Sequence, residues 1–335
     1  MWFRRIFLTL ALLVAACGYY LYTDYQNFLD APLEIAGDTQ ILAVAPGMGI
    51  KDITQALYQP SGLSLPAIYL QAYTRLNHLA HRLKAGEYRI TSKYTPRRLI
   101  ADIVAARVIQ YSLTVIEGWT FRQLRRALAN HPDIVQTLDG IGNAELMSRL
   151  GQAGKHPEGR FFPDTYHFPK GTTDLAFLRR AMAAMDQRLK AVWAQRAPKL
   201  PLENPYQALI LASIIEKETS LPAEQPQVAG VFIRRLRKGM RLQTDPTVIY
   251  GLGEEFDGNI RRRDLRTDTP YNTYTNKGLP PTPIALPGAG ALAAAVNPAH
   301  GDALYFVATG DGGHVFSKTL SEHNRAVRRY QLRKH

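Results

Sequence analysis

The sequence predicts an α+β protein in three parts: an N-terminal transmembrane helix, a small α+β module and a larger α+β domain. Three observations lead there. An uncharged stretch from Ile6 to Tyr22 follows Arg4 and Arg5 and precedes Asp24, Asp30 and Glu34. Beyond it, short β-branched runs alternate with segments whose apolar residues recur at helical spacing. At 335 residues the chain can hold one large domain or two moderate ones beside an anchor. The divisions expected are an anchor over 1–25, a spacer over 26–38, the small module over 39–109 and the larger domain over 110–335.

The apolar stretch is near the lower limit for a spanning helix, about 17 to 25 residues. Its flanking arginines place the N-terminus in the cytoplasm and the remainder outside. Tyr19, Tyr20 and Tyr22 fall where an interfacial aromatic belt would lie. Val14-Ala15-Ala16-Cys17 also reads as a lipoprotein cleavage box. Apolar character continues past Cys17, which favours an uncleaved anchor over a lipidated cysteine. In either case the bulk of the chain is tied to a membrane outside the cytoplasm.

In the small module, Thr39 to Ala45 reads as a strand and Pro46-Gly47-Met48-Gly49 as a turn. Ile50 to Tyr58 and Pro66 to Leu79 read as helices, and Ala85 to Ile90 as a turn into a second strand. Thr95-Pro96 opens a further helix to Val104. The strand-helix-helix-strand order is that of a LysM-like module, which would bind glycan or only space the rest from the membrane.

In the larger domain, Tyr111 to Ile116 is strand-like, Phe121 to Leu128 is an amphipathic Arg-rich helix, and Ala144 to Leu150 is a short helix. Gly159 to Tyr166 is an aromatic loop, and Asp174 to Ala197 a long helix with a basic outer face. Residues 207–219 form the most apolar helix outside the anchor, and Val228 to Leu236 another. The chain then reads as polar loop to about Gly290. Ala303 to Ala308 follows as a buried strand, and the basic tail from Arg325 as a surface helix.

Composition removes several functions. The hydrophobic fraction of 46% and charged fraction of 21% are those of a globular chain and set disorder aside. A net charge of +13 calls for an anionic partner, yet no zinc-finger spacing, phosphate loop or RNP-type signature accompanies it. Nucleic acid is therefore not expected. The single cysteine, Cys17, leaves the rest of the chain without a disulfide or thiolate metal site. There is no His-Glu-x-x-His, nucleophile elbow or dinucleotide fingerprint, so neither metal nor cofactor is expected. His78 and His81 lack a nearby carboxylate ligand and read as surface residues.

The chemistry points to the helix at 207–219. It is apolar on almost every side, hence buried all round, and it ends in Glu216-Lys217-Glu218. A carboxylate at the rim of an apolar core has its pKa raised by desolvation, as a general acid at neutral pH requires. Residues two apart on a helix point about 200° away from each other, so the two glutamates cannot share a role. Glu218 stacks over Ile214, Ile215 and Leu211 and continues the buried face; Glu216 stacks over Ala212 and Ser213. Glu218 is thus the candidate acid and Glu216 a supporting partner, with Lys217 solvated. The alternative is a pair of solvated glutamates at a fraying helix end. The loops Leu242 to Thr247 and Tyr271 to Tyr274 cluster amides, hydroxyls and rings, as sugar clefts do. Ordinary turn chemistry uses the same residues.

These segments resemble the YceG-like family of endolytic murein transglycosylases. The matching pieces are Ala-Ser-Ile-Ile-Glu-Lys-Glu-Thr (212–219), Gly-Met-x-Leu-Gln-Thr-Asp-Pro-Thr-Val-Ile-Tyr (239–250), Tyr-Asn-Thr-Tyr (271–274) and Gly-Leu-Pro-Pro-x-Pro-Ile (278–284). Leu304 to Ala308, Gly313-His314-x-Phe316, Glu322-His323-Asn324 and Val115-Ile-Glu-Gly complete the set. The resemblance implies cleavage of the β-1,4 bond between N-acetylmuramic acid and N-acetylglucosamine within nascent strands, leaving 1,6-anhydro ends and using no water. It places the acid, which then acts as base, at Glu218. One carboxylate suffices because the sugar's own 6-hydroxyl is the nucleophile, unlike the paired carboxylates of ordinary glycosidases. Gln243, Asp245, Thr247, Tyr271, Asn272 and Glu117 fall in motif segments and are assigned to substrate binding. The family pattern has Asn where this chain has Arg234. The expected partners are peptidoglycan strands, cell-wall synthases of the penicillin-binding class, and the inner membrane through the N-terminal helix. The positive charge suits anionic headgroups and the peptide carboxylates of peptidoglycan. A glycan-binding scaffold and a lysozyme-type hydrolase using Asp245 or Glu216 as second carboxylate are the competing readings.

Overall fold

A computed structural model describes residues 2–35, 37–58 and 65–332. The chain is mixed helix and sheet and divides into two compact units. One comprises residues 1–111 with 167–171, the other 112–166 with 172–335.

The first unit begins with α1 (Trp2–Asp30), a 29-residue helix with a mean hydropathy of 1.8 over its most apolar window. It is long and apolar enough to cross a membrane, and none of that window is buried. The helix runs unbroken through Cys17 and past the apolar stretch, so residues 26–30, expected as spacer, are helical. The cause is lateral support. Leu29 is buried, the Tyr69 hydroxyl donates to Asp24 (2.8 Å), and Arg97 pairs with Asp30 (2.9 Å). Residue 36 of that spacer and residues 333–335 of the basic tail lie outside the described residues.

Strand β1 (Thr39–Val44) pairs antiparallel with β2 (Gly86–Thr91), Thr39 facing Thr91 and Val44 facing Gly86. Between them lie α2 (Ile50–Leu57) and α3 (Leu65–Leu76), and α4 (Pro96–Val104) follows. Helix α3 stops three residues earlier than its pattern predicts, because His78 adopts a left-handed φ of 54° that no helix continues through. Helix α4 starts where Thr95 accepts from the Arg98 N–H (3.3 Å) and Pro96 fixes the first φ. Val44, Ile53, Leu70, Ile90, Leu99 and Ile103 close a small core.

Further along the chain, β3 (Tyr111–Thr114) leads to α5 (Phe121–Ala129), capped reciprocally by Thr120 and Gln123. Next come β4 (Ile134–Val135), α6 (Asn143–Arg149), β5 (Thr165–Phe168) and β6 (Thr172–Thr173), with β4 parallel to β6. The main core is helical. Helix α8 (Pro205–Glu218) packs against α7 (Asp174–Ala194), α9 (Gln225–Arg237), α10 (Asp245–Leu252) and α11 (Ala289–Val296). A hairpin of β7 (Tyr305–Ala308) and β8 (His314–Ser317) and the amphipathic α12 (Leu320–Tyr330) complete it.

Helix α10 falls in the stretch expected as loop, and α11 in the segment that follows it, where the sequence predicts no element. Helix α10 opens at Thr244-Asp245-Pro246, a start signal that the surrounding polarity hides. Helix α11, Ala-Gly-Ala-Leu-Ala-Ala-Ala-Val, has no polar face to give it a period. The expected strand at 303–308 forms over 305–308, but of those four residues only Val307 is buried.

Candidate active site

Helix α8 carries the central carboxylate, and its construction explains the placement. Asn204 accepts from the Gln207 N–H (3.0 Å), Pro205 fills the first turn, and every residue from Ala208 to Ile215 is buried. The Ser213 hydroxyl bonds to the Ile210 carbonyl (2.7 Å) and accepts from the Ile284 N–H (3.0 Å), pinning the next loop to the helix. Thr219 turns extended (φ −143°) and ends the helix, so Glu218 stands where the apolar core meets the surface.

Glu218 lines an open cleft of about 510 Å³ that Arg235, Gln243, Asp245, Tyr274 and His314 also border. Its Oε1 accepts from the Thr244 hydroxyl. Thr244 is the N-cap of α10 but makes no side-chain cap bond; its hydroxyl is spent on Glu218 instead. Burial pushes the Glu218 carboxyl up, the Thr244 bond opposes this, Asp245 adds to it, and His314 and Arg235 oppose it. The result is about 7. A group at that value is both a competent acid and a competent base near neutrality.

The neighbours are held stiffly. The buried Arg235 guanidinium donates to the Leu304 and Leu242 carbonyls (2.7 Å each) and lies over the Tyr305 ring at 5.1 Å. Gln243 sits at φ 51°, a left-handed conformation unfavourable for a residue with a Cβ, held by its N–H on the Thr273 carbonyl (3.2 Å). Asp245 accepts from the Tyr274 hydroxyl at 2.5 Å, and burial together with that bond raises the Tyr274 phenol. Glu224 takes both the ring Nδ1 (2.8 Å) and the backbone N–H (2.9 Å) of His314. Burial would raise Glu224, but the His314 bonds outweigh it and hold the carboxylate below its ordinary value. His323 stacks on Tyr305 at 5.4 Å, its Nδ1 buried without a partner.

Of the residues singled out from sequence, the fold brings together Glu218, Gln243 and Asp245. The other candidates sit elsewhere. Thr247 is fully buried, its hydroxyl on the Thr244 carbonyl (2.8 Å) and against Thr273 (2.9 Å). The Asn272 amide spans the carbonyls of Asp264, Leu265 and Thr267 and is 1% exposed, so it organises its own loop and is closed to substrate. Tyr271 bonds Thr282 (2.8 Å) and packs edge-on to Tyr250. Glu216 accepts from the Gly288 N–H (2.9 Å), a fastening on the far side of the helix end from Glu218. Burial raises it, and the Gly288 bond opposes this. Glu117 lies against Gly288 as well, close enough that a Cβ there would meet its Oε1 at 1.8 Å. Sequence reasoning passed over Thr244, Arg235 and Tyr274 as site residues. Only their neighbourhood in the matched motifs could have flagged them. Arg234, the departure from the family pattern, donates to the Ala303 (2.7 Å) and Ala299 (3.2 Å) carbonyls. Among the described residues no cluster of His, Cys, Asp or Glu could hold a metal ion.

An α+β protein with one carboxylate of raised pKa at the mouth of an open polar cleft belongs to the class built for acid-base work on a large, polar substrate. The comparisons narrow the class. The model of the YceG-like family matches residues 42–329, so the chain belongs to that family. It is 42% identical over 268 residues to the endolytic murein transglycosylase of Bacillus subtilis, covering 75% of this chain and 74% of that protein. The endolytic murein transglycosylase of Streptococcus pneumoniae is 26% identical; the match covers 96% of this chain but 64% of the longer pneumococcal protein. The crystal structure of a YceG-like protein from Listeria monocytogenes superposes with a TM-score of 0.53 at 31% identity, covering 87% of this chain and 99% of that one.

Proposed function

We propose that this chain is an endolytic murein transglycosylase that cuts peptidoglycan strands with Glu218 as its single acid and base. The observation that carries the reading is the placement of Glu218, held by the Thr244 hydroxyl at an open cleft large enough for sugar rings, where burial raises its pKa. Protonated Glu218 gives its proton to the oxygen bridging N-acetylmuramic acid and N-acetylglucosamine, and the C1–O bond breaks. The carboxylate so formed takes the proton of the muramic acid 6-hydroxyl as that oxygen bonds to C1. The product is a 1,6-anhydro ring, and Glu218 is protonated again. Asp245 supplies negative charge while the sugar ring carries positive charge. Holding Asp245 to Tyr274 and Gln243 to the Thr273 carbonyl keeps that side of the cleft in place.

Residues 39–109 are a LysM-like module in this reading, their strand-helix-helix-strand order being the support. Helix α1 is a single-pass anchor with its N-terminus in the cytoplasm, as Arg4 and Arg5 argue, and the rest stands in the periplasm beside the synthases whose strands it terminates.

Digestion of purified peptidoglycan, with products read by mass spectrometry, tests the chemistry. Internal 1,6-anhydro ends are expected from the wild type. Glu218→Gln should lower the rate at least about a hundredfold, the lower end of what general acid-base catalysis supplies. Reducing ends instead would establish hydrolysis, and products that persist in Glu218→Gln would remove the assignment.

A further inference from the structure

A second recess, about 550 Å³ in volume, lies in the larger unit between the start of α5, the residues before Gly159 and the far half of α10. Helix α10 borders both cavities. Asp245 opens the helix at the Glu218 cleft, and Tyr250, about 7.5 Å further along the axis, lines the second recess. At the floor sits Glu158, 3% exposed. Its Oε1 accepts from the Phe121 N–H (2.8 Å) and its Oε2 from the Tyr250 hydroxyl (3.1 Å). Burial pushes this carboxyl up to about 7, and the bonds from Phe121 and Tyr250 oppose the rise.

Two arginines line the mouth. Arg122 and Arg125 stand three residues apart on α5, hence on one face. Arg122 pairs with the exposed Glu254 (2.6 Å) and is itself more than half exposed. Arg125 donates to the Leu138 carbonyl (3.1 Å) and to Asn143 (3.4 Å). Each guanidinium has five N–H donors, so both keep donors for a planar anion. Arginine pairs over a polar pocket suit a carboxylate better than an uncharged sugar. The substrate class proposed above carries such groups on the short peptides that branch from its muramic acid residues.

We infer that this recess is a second substrate subsite, in which Arg122 and Arg125 take the carboxylate of a peptide arm while the sugar backbone lies at Glu218. The inference rests on glycan strands being the substrate.

The test compares two substrates on the full-length chain in detergent: peptide-bearing strands, and the same strands stripped of peptide by an amidase. The wild type should favour the peptide-bearing strands through KM. Arg122→Ala and Arg125→Ala should each shrink that preference about tenfold. The ion pair of Arg122 is with an exposed partner and its charge also acts on buried Glu158, so the melting temperature of Arg122→Ala is measured beside its activity. A second readout is the Kd of a soluble disaccharide-tripeptide for Glu218→Gln, expected to rise about tenfold when Arg122→Ala is added. No preference in the wild type, or a preference and Kd unmoved by Arg122→Ala, overturns the subsite while leaving the Glu218 chemistry standing. Cleavage of neither substrate by the wild type removes the underlying reading, and the subsite with it.

Discussion

Replacing Glu218 with glutamine should cost the protein its activity and yet make it more stable, by an amount that grows with pH. The side chain's ordinary pKa is 4.5, and the fold raises it to about 7. A raised acid stabilises the folded state fully only below its unfolded pKa, and that contribution is lost as pH climbs through the folded value. At about 1.4 kcal/mol per unit, the ionised carboxylate costs the fold about 3 kcal/mol at alkaline pH. Glutamine keeps an acceptor for the Thr244 hydroxyl and never ionises. The stability gap between Glu218→Gln and wild type should therefore widen by about 2.5 kcal/mol between about pH 5 and about pH 8. For a unit of this size that is on the order of 5–10 °C in Tm. Fluorescence melting follows it directly, since Trp119 and Trp193 both lie in the larger unit. A gap that stays constant, or that narrows as pH rises, would refute the burial argument, whatever the activity of the variant.

Three further outcomes are expected. Thr244→Val removes the bond that opposes the rise of Glu218, so the alkaline limb of the pH–rate profile should move to higher pH while kcat falls about tenfold from lost orientation; a limb that moves to lower pH contradicts this. Arg235→Met leaves the Leu304 and Leu242 carbonyls without their donor in a buried setting. It should cost on the order of 2–4 kcal/mol in denaturant unfolding, and a loss under about 0.5 kcal/mol would mean the loops hold themselves. Gly288→Ala drives a Cβ into the Glu117 carboxyl, which is exposed and can swing aside, so about 1 kcal/mol should be lost and most of it regained when Glu117→Ala is combined with it.

How much of this could be read from the sequence varies from residue to residue. That Glu218 continues the buried face of α8 while Glu216 points the other way follows from helical geometry alone. Ile214 and Ile215 are fully buried, Glu218 stands on their side, and Glu216 points away to Gly288. That argument works because α8 is long, regular and apolar. Thr247 and Asn272 failed for the opposite reason. Their hydroxyl and amide are of the type a sugar cleft uses, and the same groups satisfy backbone carbonyls wherever a loop turns inward. In Tyr271-Asn272-Thr273-Tyr274 only Tyr274 borders the Glu218 cleft, and spacing within a loop has no period from which to predict it. Arg235 reads as one more basic residue at the end of α9; that its charge is buried depends on the Leu304 carbonyl, 69 residues further on. Helix α10 was hidden by its own start signal, since Thr-Asp-Pro opens turns as readily as helices.

The length of α1 has a mechanical consequence. At about 1.5 Å per residue its 29 residues reach about 43 Å, against about 30 Å of bilayer hydrocarbon. In the anchor reading proposed above, the surplus extends past the bilayer as helix, fastened within its unit through Asp24–Tyr69 and Arg97–Asp30. A flexible leash would let that unit tumble freely and search a hemisphere. In that reading a clamped rod makes the unit turn with its anchor, like a turret on its bearing.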